Sequence, residues 1–401
     1  MDTKDRFLDY LVQTPNFLAA FIFSLFFNIA SPILLEISKT TGIEKTNLSF
    51  VFTFFTVGAV LGQMTSVFYN RKFKKIQILL TGLIIMIPLT AALNFNSNLI
   101  LFYLIYFISG YVFGVIWLQA NEFVLESSIR NKERLITIFL TFYPIGAFIA
   151  PFISSSIIGS NHSWRFIYYA IIFLILVNII LYIIISRRKK ESAAVLEEAK
   201  LPIKEVFFDK LNNRIFLVIC LAIIFYSCSE TIISTWSPTF FILARKFTVA
   251  SAGLALNLFW LFVIIGRLVM LVIAGRIKST KIMLVLSILA IAATAAAVFT
   301  HNKSLIFVFI SIAGLGCSMI FPLLISTGST IYEKGRGVLA TILFISGNLG
   351  LAVTPVITKF SSRISMVVSV SFSFILMIIV AVLVILMSVL FSKRAIKPLN
   401  T

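Results

Sequence analysis

The chain reads as an all-α integral membrane protein of twelve transmembrane helices in two six-helix halves. Of its 401 residues, 60% are apolar and 12% charged, with a mean hydropathy of +1.05; soluble domains hold about 45–50% apolar and 25% charged residues. Twelve apolar stretches are each long enough to approach the roughly 20 residues a helix needs to cross the hydrocarbon core. A single long polar interruption divides them six and six. The alternating segments of about 10 residues that mark a membrane barrel are absent.

Span one begins near Asn16, after a polar leader carrying Asp2, Asp5 and Asp9. That leader is unlike a cleaved signal peptide, so the first helix itself is expected to act as the membrane signal. Spans two to six start near Leu48, Ile76, Asn98, Leu135 and Phe166. The polar run from Arg187 to Asn213, with Glu197, Glu198, Lys200, Lys204, Asp209 and Lys210, reads as a cytoplasmic linker. Spans seven to twelve then start near Ile215, Ser251, Ile282, Ser304, Val338 and Ile364. The expected organisation is a bundle over 1–186, a linker over 187–213 and a second bundle over 214–401.

The net charge of +19 comes from 34 Lys and Arg against 15 acids, and their placement argues against nucleic acid. The cations cluster at Arg71, Lys72, Lys74 and Lys75, at Arg130, Lys132 and Arg134, at 187–190, at Arg276, Lys278 and Lys281, and at Lys393, Arg394 and Lys397. With both termini cytoplasmic these clusters fall on the inner side, as the positive-inside rule requires. There they attract anionic lipid by about 1 kcal/mol per charge. The abundance of Ile, Phe and Lys points to a bacterial source, hence to a bacterial inner membrane.

Several chemistries are excluded. Cys220, Cys228 and Cys317 fall in apolar spans without metal-ligand spacing, and His162 and His301 lie in short loops. No metal site, cofactor site or catalytic constellation can be assembled, so the chain is not read as an enzyme. A Gly-x-x-x-x-Gly-Lys loop is also absent, which excludes an ATP-driven pump.

The halves repeat at an offset of about 204 residues, the internal signal that repeat-built transporters leave. Gly62 maps to Gly266, Gly110 to Gly314, Gly146 to Gly350 and Pro151 to Pro355. Twelve spans in two such halves, with a loop running Gly62-Gln-Met-Thr-Ser-Val-Phe-Tyr-Asn70-Arg71-Lys72-Phe73-Lys74-Lys75 and Trp164-Arg165-Phe166 entering span six, resemble the major facilitator superfamily over essentially the whole chain. Asn70 stands where that family's loop usually has aspartate, and Phe73 where it has glycine. The paired glycines around a proline that mark drug exporters are incomplete at Tyr143-Pro144-Ile-Gly146.

Hydrocarbon penalises an unpaired charge, so polar groups inside spans are candidate functional residues. Helical spacing puts Tyr226, Glu230, Ser234 and Ser237 on one stripe of span seven. In span four Trp117 and Asn121 share a face, with Gln119, Glu122 and Glu126 roughly opposite. Glu126 and Arg130 stand at ion-pair spacing. Glu122, Glu126, Arg130, Arg71 and, in span eight, Arg267 read as a gate or charge network. Glu230 differs: it lies about 15 residues, roughly 22 Å, into its span. Burial disfavours a bare carboxylate, which makes Glu230 a candidate proton carrier; the alternatives are a carboxylate locked for packing and a direct ligand of sodium or solute.

Tyr226-Ser-Cys-Ser-Glu230-Thr231 followed by Trp236 and Pro238, Phe259-Trp260 followed by Gly266-Arg267-Leu268, and Gly314-Leu-Gly316-Cys-Ser318-Met-Ile-Phe321-Pro322 resemble the fucose, galactose and glucose symporter family and its sodium-dependent glucose transporter-like relatives. TsgA-type proteins look as close over the first half. The fucose branch carries a membrane aspartate in span one and a span-four glutamate; here those stretches read Asn28-Ile-Ala-Ser31-Pro32 and Trp117-Leu-Gln-Ala120-Asn121. That departure argues against fucose itself and leaves Glu230 as the deep acid.

The remaining inward polar set suits a polyol: Ser24, Asn28, Trp117, Asn121, Tyr226, Ser234, Trp236, Asn257, Trp260, Ser318 and Asn348. Amides and hydroxyls donate and accept, and an indole gives a sugar ring an apolar plate. The expectation is a monomeric secondary transporter, rocking two halves about a midplane site, that carries a small polar solute, a sugar or sugar derivative, with H+ through Glu230, Na+ being the other candidate ion. The competing expectation is a proton-coupled exporter of amphiphilic compounds, for which the 14% aromatic content speaks.

Overall fold

The structure is a computed structural model, described here for residues 3–48, 50–70, 72–125, 132–159, 162–186, 213–273, 276–329, 331 and 336–396. The expected linker, apart from Asn213, and Arg71, Glu126 and Arg130 of the expected charge network lie outside the described residues. Among those that are described, every regular element is a helix. Eleven helical stretches are long and apolar enough to cross a membrane, and the shorter apolar helix Val51–Ser66 completes the twelve.

The chain divides into two compact units, Met1–Leu201 and Pro202–Thr401. In the first, span one is Thr3–Thr41, span two Val51–Tyr69, span three Lys75–Phe95, span four Leu99–Leu125, span five Lys132–Gly159 and span six Arg165–Ser186. Local chemistry sets the ends. Asn98 accepts from the Ile100 amide at 2.9 Å at the start of span four, an N-cap that satisfies an otherwise unpaired donor. Gly42 follows span one with φ +72°, a conformation that favours glycine.

In the second unit span seven is composite: Arg214–Thr231, a π-helical turn Ile232–Trp236, and Ser237–Arg245. Its start is capped by Asn213, whose side chain accepts from the Ile215 amide. Its end is Lys246, left-handed at φ 54°. Span eight is Val249–Ile273 and span nine Ser279–Phe299. Span ten is split into Lys303–Cys317 and Ile320–Ser329, span eleven is Arg336–Ser362 and span twelve Met366–Ile396.

The same packing plan runs through each unit. Span two packs on four, one on five and three on six; equally, eight packs on ten, seven on eleven and nine on twelve. The sequence offset recurs in individual contacts. Gly110 lies so close to the Phe55 carbonyl that a Cβ would overlap it, and Gly314 lies in the same way on the Phe259 carbonyl, both partners displaced by the same offset as the glycines. Small residues permit such close helix contact in hydrocarbon, where apolar surface alone gives little drive to associate.

Candidate functional site

In the first unit the predicted residues meet where spans one, four and five pack. Ser24 is fully buried and donates to the Tyr143 carbonyl at 2.5 Å. Asn28, part exposed, donates to the Ser24 carbonyl at 2.8 Å and to its hydroxyl at 3.2 Å. Trp117 is 9% exposed and sits among Phe23, Phe139 and Tyr143, with ring centroids 5.1, 5.3 and 6.0 Å away. Asn121 is buried; its Nδ2 donates to the Trp117 carbonyl at 3.3 Å while its Oδ1 has no hydrogen-bond partner among the described residues. Phe23 and Phe139 carry no mark in the sequence, because one phenylalanine among 41 gives no positional signal.

On the opposite face of span four, Gln119 donates to the Ser66 hydroxyl at 2.7 Å. Glu122 is 2% exposed and receives Lys75 Nζ at 3.1 Å and Asn70 Nδ2 at 2.8 Å on the same oxygen. The two faces of span four therefore have different tasks. Glu122 is held where spans two, three and four meet, with Asn70 making the contact to its carboxylate from the loop position that usually carries an acid.

The second unit gathers Tyr226, Glu230, Arg267 and Ser318. The Tyr226 hydroxyl lies 2.9 Å from Glu230 Oε1 and 2.7 Å from the Cys317 carbonyl. Arg267 is 5% exposed, interacts electrostatically with Glu230 and donates Nε to the Ser318 carbonyl at 2.9 Å. Glu230 itself is part exposed. The split in span ten explains the Ser318 carbonyl. Pro322 has no N–H, so it cannot bond the carbonyl four residues earlier, and Arg267 takes that place. Arg267, expected in a charge network, thus belongs to the neighbourhood of Glu230. No motif announced the Cys317 carbonyl, since a main-chain acceptor leaves no mark in the sequence.

The expected span-seven stripe does not continue past Glu230. The π-helical turn inserts an extra residue into the helical register, and Ser237, 2% exposed, returns its hydroxyl to the Ile233 carbonyl at 2.5 Å. Ser234 lies 3.5 Å from the Thr231 carbonyl and is part exposed, as are Trp236 and Asn257. Trp260 is buried edge-on to Phe259 at 5.2 Å. Asn348, part exposed, donates to the Phe344 carbonyl at 3.1 Å. Tyr226, Ser24, Asn121 and Ser318 are buried, so their hydrogen bonds serve the interior. Asn28, Ser234, Trp236, Asn257 and Asn348 are the part-exposed members.

Comparison with known proteins agrees with this architecture. The chain is 22% identical over 355 residues, 86% of each protein, to a protein named as a TsgA homolog in Buchnera aphidicola. Among solved structures it resembles FucP, the E. coli fucose:proton symporter, in the outward conformation, with a TM-score of 0.76 at 18% identity over 94% of this chain and 98% of that one. It also resembles the proton:xylose symporter XylE, with a TM-score of 0.76 at 11% identity over 93% and 94%. The sequence profile of the Major Facilitator Superfamily matches residues 17–355. With twelve spans in two repeated units and a family match over most of its length, the chain belongs to the major facilitator superfamily and is a multi-pass membrane transporter.

Proposed function

We propose that this transporter moves a small polar organic solute, a sugar or sugar derivative, together with protons, by alternating access. It works as a monomer in a bacterial inner membrane with both termini cytoplasmic. The observation that carries the reading is Glu230. It is the sole acid among the described residues of the second unit, it lies deep in span seven, and it is part exposed. A carboxyl at that depth with access to water can take up and release a proton, and charge in a membrane span is costly enough to be kept for such a task.

Protons are favoured over sodium because the fold is shared with a fucose:proton symporter and a proton:xylose symporter. A sugar is supported by the fold shared with a fucose:proton and a xylose:proton symporter. It is supported also by the amide, hydroxyl and indole groups of Asn28, Ser234, Trp236, Asn257 and Asn348, a small set of polar groups in apolar surroundings. In this reading the protonated, loaded carrier reorients, while the ionised empty form is held on one side. Glu122, clasped by Lys75 and Asn70, belongs to the charge network and not to the proton path.

The test is a thermal-shift screen of purified protein against sugars, amino acids and nucleosides at two pH values, followed by uptake of the hit into proteoliposomes under an imposed pH gradient. Glu230→Gln is expected to abolish concentrative uptake and to spare exchange. Undiminished pH-driven accumulation in that variant rejects the role.

A second reading, export of amphiphilic compounds, draws on the aromatic nest of Phe23, Trp117, Phe139 and Tyr143. Resistance profiling of a deletion strain separates the two: broad sensitivity favours export, and a growth defect on one carbon source favours uptake.

A further inference from the structure

The Tyr226 hydroxyl has one hydrogen and faces two acceptors, the Cys317 carbonyl at 2.7 Å and Glu230 Oε1 at 2.9 Å. Each distance is that of a fully formed O–H···O bond, and one hydrogen cannot make both. A carbonyl accepts only, and so does an ionised carboxylate. With Glu230 ionised, one of the two contacts would therefore bring two oxygens together with no hydrogen between them, in a place where Tyr226 is fully buried. With Glu230 protonated the count closes: the carboxyl O–H donates to the tyrosine oxygen, and the tyrosine O–H donates onward to Cys317.

We propose that Tyr226 is a positioning residue that reports the protonation of Glu230 to the break in span ten. Its hydroxyl bonds the Cys317 carbonyl while Glu230 carries a proton, and turns to the carboxylate once the proton has left. The turn follows from strength, because a bond to an ionised acceptor is roughly twice as strong as one to a neutral carbonyl. The proposal rests on the reading of Glu230 as proton carrier and adds what the proton does next.

The place where the signal arrives is suited to respond. Cys317 ends the first half of span ten, and the second half starts at Ile320. On the far side of Cys317 the Ser318 carbonyl is held by Arg267 at 2.9 Å. Loss of the Tyr226 bond leaves the break with the Arg267 bond at Ser318 but without the one at Cys317, so span ten can flex there. Among the described residues, the titratable groups that face Glu230 are Tyr226 on its own helix, Arg267 from span eight and the Cys317 thiol from span ten. Next to Glu230 in sequence, spans eleven and twelve meet Cys228 and Ser229 through the Thr354 hydroxyl and the Ser373 carbonyl, neither of which titrates. Glu230 is part exposed, and the proton is taken up and released at its carboxyl.

One carbonyl can be labelled to test this. The chain has three cysteines, Cys220, Cys228 and Cys317. Full-length protein carrying Cys220→Ser and Cys228→Ser, grown with carbonyl-13C cysteine and reconstituted in lipid, therefore reports Cys317 alone in infrared difference spectra. On acidification the expected result is a carboxylic C=O band from Glu230 that rises in step with a downshift of the labelled carbonyl. Tyr226→Phe should lose the downshift while the carboxylic band still titrates. Glu230→Gln, whose amide donates to Tyr226 at every pH, should show the downshifted band throughout. A labelled band that still moves with pH in Glu230→Gln overturns the proposal even where Tyr226→Phe fails to fold. A Glu230 band that titrates while Cys317 stays still also overturns it, and leaves the proton-carrier reading standing. The absence of any titrating carboxyl removes that reading and this proposal together.

Discussion

Arg267 donates its Nε to the Ser318 carbonyl at 2.9 Å, the acceptor that an N–H at position 322 would take in an unbroken helix. Proline at 322 frees the carbonyl, and the guanidinium fills the gap from the neighbouring span. A charged side chain is thereby fixed next to Glu230 by a defect in the main chain of another helix.

This relationship predicts a coupled pair. Arg267→Met should leave the Ser318 carbonyl short of a donor, at a cost of about 1–3 kcal/mol, seen as a lowered melting midpoint in detergent. Adding Pro322→Ala supplies the missing N–H and should recover part of the loss. The two changes should couple by about 0.5–3 kcal/mol in a double-mutant cycle; strictly additive losses would show that position 322 does not free that carbonyl.

The repeated glycine contacts predict paired intolerance. Gly110→Ala and Gly314→Ala drive a methyl into the Phe55 and Phe259 carbonyls, and each should cost about 1–3 kcal/mol by overpacking. Gly253, in span eight with nothing within 4 Å of its Cβ position, is the control. There alanine should be neutral or gain up to about 1 kcal/mol from helix propensity. Equal tolerance at all three positions in a melting assay would contradict the close packing of spans two on four and eight on ten.

Glu122 and Lys75 meet at 3.1 Å with both side chains buried. Glu122→Gln should cost about 3–5 kcal/mol, because it removes the countercharge of a buried ammonium, while replacing both members by apolar residues should recover much of that loss. Unfolding in graded denaturant reads the difference. A double variant as unstable as Glu122→Gln alone would mean that the charge of Lys75 is not what the carboxylate offsets.

Trp117 and Trp236 are predicted to separate packing from binding. Trp117 is enclosed by three aromatic rings, so Trp117→Ala should cost about 3–5 kcal/mol of stability, and Trp117→Leu should leave the affinity for the hit of the solute screen unchanged. Trp236 is part exposed, and Trp236→Leu should weaken that affinity with little change in melting. The reverse pattern in isothermal titration would move the solute plate to the first unit.

The membrane class, the twelve spans and the repeat could be read from the chain because they depend on composition and on spacing along one dimension. The offset that pairs Gly110 with Gly314 was visible as letters, and the structure gave it meaning by placing Phe55 and Phe259 against them. Side-chain direction was legible only while the helix kept its period. The π-helical turn Ile232–Trp236 ended that, and the stripe drawn through Ser237 ended with it.

By itself the sequence determined that Glu230 is a solitary acid deep in an apolar helix, since hydropathy needs no neighbours to be read. Helical spacing also put Tyr226 on the same face, but only the tertiary structure decided what other spans bring to the acid: the charge of Arg267 from span eight and a span-ten carbonyl that shares Tyr226 with it. The reason is physical. Hydrogen bonds to main-chain carbonyls and contacts across helices depend on where the chain returns in space: Pro322 marks in the sequence that a carbonyl is freed, but not which side chain comes to fill it.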